Sequence, residues 1–384
     1  MTRQDCLKIL CSFCLMSSML VTPALRAADK TVLIGYAGPL TGASAPAGLN
    51  LLRAVEMAVD DANRSEIRLQ GERLVFKLIS QDDRADPATG VLVAEYLVKS
   101  GVIGVIGHWN SGVSIPASRI YAKAGIAQLA SASTARAYTQ QNLATSFRMV
   151  GHDDEGADLS ADYVLRQLRA RRIAIVDDRT AFGAGYAEQF ARSVQAGGGN
   201  VVSRYTVSSK TSDFNAVLKE MALTEPDVVF FGGLDTQAGQ FARDLKRFNI
   251  AARLVSVDGT VGQPFLSAAG AAGEGTIAVE PGLPSYKGAQ WKRFEKSYRE
   301  RAGSTMELFA PFSYDGVGVL VAAVREANSL EPKKIAAALH QIRYEGITGL
   351  ISFDAEGNLR NPAFTVYQVK NANWVPVKMI GSRR

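Results

Sequence analysis

Strand-length apolar runs alternating with helical periodicity predict an α/β protein made of two doubly wound, parallel-sheet lobes. The alternation continues along nearly the whole chain beyond residue 30, the pattern of parallel sheets covered by helices. It comes as two successive series, the second restarting at "RRIAIVDD". The length of 384 residues is enough for two domains with cores of their own.

The first unit opens with a strand at Val32–Tyr36 and a Gly/Pro loop. Leu51, Ala54, Val55, Ala58, Val59 and Ala62 then fall on one helical face. "RLVFKLIS" returns as a strand. Asp86-Pro87 supplies an N-cap and a first-turn proline for a helix that buries Val91, Ala94 and Val98. "GVIGVIG" reads as a fully buried strand, a helix is expected from about Ser114 to Lys123, and "IAQLAS" is the next strand. The second series runs through "NVVSRYTV", "DVVFFGG" and "ARLVSVDG". Beyond "EGTIAVEPGLPS" come the helix "YDGVGVLVAAVREAN" and a charged helix at Pro332–Ile342, with "FTVYQVK" expected as the final strand.

Residues 1–28 have another character. Arg3 and Lys8 precede 17 uncharged residues, Ile9–Leu25, broken by serines and Pro23, and small residues follow at Ala27 and Ala28. This is the pattern of a secretory signal peptide cleaved after Ala27, and the stretch is short for a membrane span of roughly 20 apolar residues. Cys6, Cys11 and Cys14 all lie within it, so the exported chain is expected to carry no disulfide, thiolate metal site or cysteine nucleophile. Without residues 1–28 the balance is 40 basic against 36 acidic side chains, which requires no polyanionic partner. The basic run Arg166–Arg172 suits a helix C-terminus, and no aromatic or motif context makes it a nucleic-acid site.

Catalytic signals are missing. His108, His152 and His340 are far apart, with no metal-ligand spacing, so neither a metal nor a cofactor is expected. Gly183 and Gly185 lack the third glycine of a dinucleotide fingerprint and read as a tight turn before a helix. No nucleophile elbow or P-loop occurs, and Asp82-Asp83 reads as a solvated or helix-entry pair. The hydroxyl-rich loops "GHWNSGVS" and "ASAST" are different: they follow buried strands, where open α/β sheets bind ligands beside helix N-termini. Their hydroxyls and free N–H groups would suit a carboxylate. Helix capping by Ser111, Ser114, Ser133 and Thr134 would use the same residue types, and the residues alone leave both roles open.

A family likeness adds to this. "IGYAGPLTG", "GLNLLRAVEMAVDDAN", "LISQDDRADPATGV", "GVIGHWNSGVSIPAS", "GIAQLASASTA", "RIAIVDDRTAFGAGYAEQF", "DFNAVLKEM", "PDVVFFGG" and "GLISFDAEGNL" occur in this order. The chain from Val32 to Met379 thereby resembles the periplasmic leucine/isoleucine/valine-binding proteins of branched-chain amino-acid ABC importers. The resemblance implies the type I periplasmic-binding fold, with two lobes joined by three chain crossings. Lobe 1 would comprise 29–150 plus 282–356, and lobe 2 would comprise 151–281 plus 357–384.

It also implies a site in the cleft between the lobes. Ser111, Ser133 and Thr134 would hold the ligand's α-carboxylate, the Ala132 carbonyl would accept from its ammonium, and Asp258 would pair with that ammonium where relatives use Glu. Phe182 would reach across the cleft, while Trp109, Leu234 and Phe309 would form walls. Leu234 replaces an aromatic residue, Ala47 replaces a tyrosine, and the relatives' disulfide positions fall on Ala85 and Asn110. The implied partners are a small amino-acid-like ligand and a membrane permease, with the protein acting as a periplasmic monomer rather than an enzyme. A sensory module binding an amide, urea or aromatic acid is the alternative.

Overall fold

The computed structural model describes residues 29–283 and 289–380, so the segment read as a signal peptide, with its three cysteines, lies outside the described residues. The first series folds as β1 (Lys30–Gly38), α1 (Ala45–Arg64), β2 (Arg68–Leu69), β3 (Glu72–Asp82), α2 (Pro87–Lys99), β4 (Gly104–Gly107), α3 (Ser111–Ala124), β5 (Ala127–Ala130) and β6 (Ser146–Arg148). Its sheet has the order β2-β3-β1-β4-β5-β6. Every pairing is parallel except β2 with β3.

Local chemistry explains these boundaries. α1 buries Leu51, Ala54, Val55, Ala58 and Val59, the face expected from their spacing. Asp86 caps α2 by accepting from the Thr89 N–H at 2.7 Å, ahead of Pro87. α3 starts three residues earlier than expected, because the Asn110 carbonyl accepts from both Val113 and Ser114 N–H. Ser111 therefore stands in the helix's first turn.

The second series gives α4 (Asp153–Asp162), β7 (Arg172–Asp177), α5 (Ala181–Ala196), β8 (Asn200–Thr206), α6 (Asn215–Ala222), β9 (Val228–Gly232), α7 (Asp235–Arg247), β10 (Arg253–Ser256), α8 (Gln263–Ala269) and β11 (Ile277–Pro281). The chain then returns to the first lobe through α9 (Ala289–Ala302), α10 (Ala310–Ala327), α11 (Pro332–Leu339) and a small hairpin of β12 (Tyr344–Gly346) and β13 (Gly349–Ile351). α10 and α11 share one apolar core with α1 and the first sheet. β14 (Phe364–Lys370) and β15 (Asn373–Ile380) complete the second sheet, whose order is β15-β14-β11-β10-β9-β7-β8. The chain thus passes between the lobes three times: after β6, after β11 and before β14.

Two local expectations are corrected. β14 is not the last strand, because Asn371 and Ala372 turn with φ of 52° and 58° and β15 folds back antiparallel. Two left-handed residues make a tight hairpin turn, and the sequence signal was weak because Ala replaces the usual Gly. Pro376 in β15 further masked the strand, and it sits on an edge beside a register shift. Second, Gly183 and Gly185 lie inside α5 rather than in a turn before it.

Candidate functional site

The loops leaving the C-terminal ends of the strands in both sheets face one another across a cavity of about 480 Å³. The first lobe contributes Ala85 and Pro87 after β3, Trp109 and the start of α3 after β4, Ala132 and Thr134 after β5, and Phe309 at the start of α10. The second contributes Arg179 to Phe182 after β7, Ser209 after β8, Leu234 after β9, and Asp258 with Gly259 after β10. Eight of the nine residues singled out from the sequence therefore meet at one cavity: Trp109, Ser111, Ala132, Thr134, Phe182, Leu234, Asp258 and Phe309.

Ser133 is the exception. Its hydroxyl is fully buried, shares a 2.6 Å hydrogen bond with Ser114 and lies 3.0 Å from the His108 carbonyl oxygen. The side chain points into the lobe and ties the β5 loop to the β4 loop, so its hydroxyl is structural. Ala47 is likewise absent from the cavity wall.

On the first lobe's side of the cavity, hydrogen-bond donors come together. Ser111 and Gly112 occupy the first turn of α3, where backbone N–H groups have no intrahelical acceptor. The Ser111 oxygen accepts from Ala135 N–H at 3.2 Å, which leaves its own proton to donate into the cavity. Beside it, Arg148 holds the loop that carries Thr134. Its guanidinium is wholly buried and donates to the carbonyls of Ser133 at 2.6 Å and Ala135 at 2.9 Å, and to the Thr139 hydroxyl at 3.1 Å. Burial presses its pKa down to about 10, which leaves it charged at neutral pH.

Across the cleft, Asp258 is 4% exposed, and its Oδ1 has no hydrogen-bond partner among the described residues. Burial raises its pKa well above the ordinary carboxyl value, the nearby Glu280 adds to the rise, and the Thr134 hydroxyl beside it acts in the opposite direction. Asp153 is pushed up in the same way by burial and then by Asp258, and neither of its carboxyl oxygens has a partner among the described residues. Glu280, buried and raised to about 8, accepts from Gly259 and Val261 N–H at 3.1 Å each and so fixes the loop bearing Asp258. An unpaired acid facing a cavity from such surroundings suits a cation that supplies N–H donors.

Several functional positions carried no sequence signal. Arg148 and Glu280 belong to no motif, and Asn110, known only as a lost disulfide position, lines the cavity with a buried Oδ1 that has no partner among the described residues. Of the solvated or helix-entry roles expected for Asp82-Asp83, Asp83 takes the second, accepting from Ala85 and Asp86 N–H just before α2, and it is not solvated. It is fully buried, with its Oδ2 2.7 Å from His108 Nδ1, and His108 Nε2 lies 3.2 Å from the Tyr121 hydroxyl. Asp82 instead accepts from Leu40 N–H and the Thr41 hydroxyl at the loop after β1. No group of three or more His, Cys, Asp or Glu among the described residues is arranged to hold a metal.

A family model described as periplasmic binding protein matches residues 31–373 of this chain. The chain belongs to the periplasmic binding protein family. A Leu/Ile/Val-binding protein homolog 1 of Brucella melitensis is 31% identical over 338 residues, covering 88% of this chain and 90% of the relative. Among solved structures, a leucine-binding protein LivK from Thermotoga maritima superposes with a TM-score of 0.84 at 22% identity, covering 91% of this chain and 99% of that one. A solute-binding protein of an ABC transporter from R. palustris, in complex with benzoate, gives 0.81 at 22% identity over 92% and 97% of the two chains. This periplasmic binding protein thus shares its two-lobed fold with proteins holding different ligands. No helix among its described residues is long and apolar enough to cross a membrane.

Proposed function

We propose that this protein binds an α-amino acid between its lobes in the periplasm and delivers it to the permease of an ABC importer, acting without catalysis. The observation that carries this reading is the buried Asp258 carboxyl at the cavity wall, whose Oδ1 has no partner among the described residues, with the Ser111 hydroxyl and the first turn of α3 lining the same cavity from the other lobe. A carboxylate on Ser111, Thr134 and the helix N–H groups, with an ammonium between Asp258 and the Ala132 carbonyl, matches charge to charge at both places. Contacts drawn from both lobes favour the closed form, so binding shifts the population toward the state a permease would recognise.

Calorimetry with a panel of amino acids tests the reading. Asp258→Ala is expected to weaken the best ligand by roughly 2–5 kcal/mol, the cost of leaving a buried charge unpaired; an unchanged affinity would remove the ammonium role. The aromatic walls Trp109, Phe182 and Phe309 favour a second reading, an aromatic acid without an amine. Such a ligand would leave Asp258 without a counter-charge, and tight binding of benzoate unaffected by Asp258→Asn would establish it. Neighbouring genes for a permease and an ATPase would support transport, whereas a neighbouring sensor kinase would support signalling.

A further inference from the structure

Taking the amino-acid reading as its basis, we propose that the preferred ligand has an extended side chain ending in a carboxylate, which the Arg179 guanidinium binds at the end of the cavity remote from Asp258. Strand order gives the cavity its direction. In the second sheet, β10, β9, β7 and β8 are consecutive neighbours, and their loops present Asp258, Leu234, Arg179 and Ser209 in that sequence. Adjacent strands lie about 4.8 Å apart, so the Arg179 loop stands about 10 Å from the Asp258 loop and the Ser209 loop about 14 Å.

The facing lobe runs the same way. Thr134 follows β5, Trp109 follows β4, and Ala85 with Pro87 follows β3, beyond the intervening β1. The lining thus draws on several neighbouring strands of each lobe, and the roughly 480 Å³ falls in the range of about 300–1,000 Å³ that accepts drug-sized molecules. A branched-chain side chain anchored at Asp258 would leave the far part unfilled.

The chemistry along that length is specific. Among the described residues lining the cavity, only Asp258 and Arg179 are ionisable, and Leu234, Phe182 and Trp109 provide apolar wall. The backbone of Arg179 is fixed at a φ of 62°, with its N–H donating to Asp177 Oδ1 at 3.0 Å, while Asp178 accepts from the Thr180 N–H and hydroxyl. Its guanidinium makes no hydrogen bond, ion pair or ring contact among the described residues. Arg179 is exposed, as are Pro87, Ala181 and Ser209 near it, so its planar fork of donors stands on a fixed backbone at the mouth of the cavity, where it suits two-point binding of a carboxylate.

The test is calorimetric titration of the folded protein with leucine and a matched pair, norleucine and 2-aminoadipate, whose side chains have equal carbon number and differ in the terminal carboxylate. The expected result is that 2-aminoadipate binds tighter than norleucine by about tenfold or more, the scale of one charge-assisted contact. Arg179→Met should erase that difference, and Arg179→Lys should restore part of it. Norleucine binding as well as 2-aminoadipate, or a difference that survives Arg179→Met, would overturn the inference and leave the amino-acid reading intact. Failure of all three to bind would overturn both.

Discussion

At the residue scale, the buried acids behind the cleft tie binding to protons. Asp258 is packed near Glu280 from β11, Asp153 from α4 and Tyr186 from α5, with Arg148 from β6 as the nearby cation. An ammonium ligand needs the ionised form of Asp258, whereas burial and Glu280 favour the protonated one. Binding should therefore release a proton, and affinity should rise with pH across the titration of this cluster. Calorimetry in buffers of different ionisation heat would show the release, and Asp258→Asn should abolish it.

Glu280 makes a separate prediction about stability. Its carboxyl is raised from 4.5 to about 8 in the folded chain, so between those values the native state holds a proton that the unfolded chain has given up. Below that window both states are protonated. The contribution is therefore present at low pH and is lost as pH rises through the window, by an amount on the order of a few kcal/mol. Glu280→Gln keeps an acceptor for Gly259 and Val261 N–H but cannot titrate, so thermal melts of the ligand-free protein from pH 5 to 8 should show a flatter dependence. Asp258 was legible because it ends a buried strand within a known pattern. Glu280, Asp153 and Arg148 were not, because their meaning lies in neighbours distant in sequence.

At the scale of elements, close backbone approach positions the second lobe's side of the site. A Cβ on Gly183 would stand 2.3 Å from the Gly232 carbonyl oxygen and 2.3 Å from Asp178 Oδ1. The first turn of α5 therefore lies directly against the end of β9, and this contact sets the position of Phe182. Gly183→Ala should destabilise the fold by about 2 kcal/mol through overpacking and weaken ligand binding, measurable by denaturant melts and calorimetry. In the first lobe, Arg148 does the corresponding work for the loop with Thr134. Arg148→Met strands the Ser133 and Ala135 carbonyls and should cost about 3 kcal/mol, with a loss of affinity as the loop loosens. The glycine was visible in the sequence, but its reason was not: a turn and a tight interface make the same demand on residue type.

At the scale of the whole molecule, the two lobes meet across the cleft. Thr134 of the first lobe stands beside Asp258 of the second, which is almost shielded from solvent. Closing over an unpaired carboxyl is unfavourable without a ligand, so small-angle scattering should show a larger radius of gyration for the ligand-free protein and compaction when a binding amino acid is added. The α/β alternation and the two series can be read from residue order alone, and the family likeness pointed to eight of the residues that line the cavity. Period and strand-end position are local properties, and a family pattern fixes which loops matter. The tertiary structure decided which hydroxyl faces the ligand. Ser111 and Ser133 are chemically alike, yet one opens on the cavity and the other is consumed inside the lobe. It also brought Glu280 and Asp153 behind Asp258 and set Arg179 at the far end, because those distances follow from strand order and lobe closure rather than from spacing along the chain.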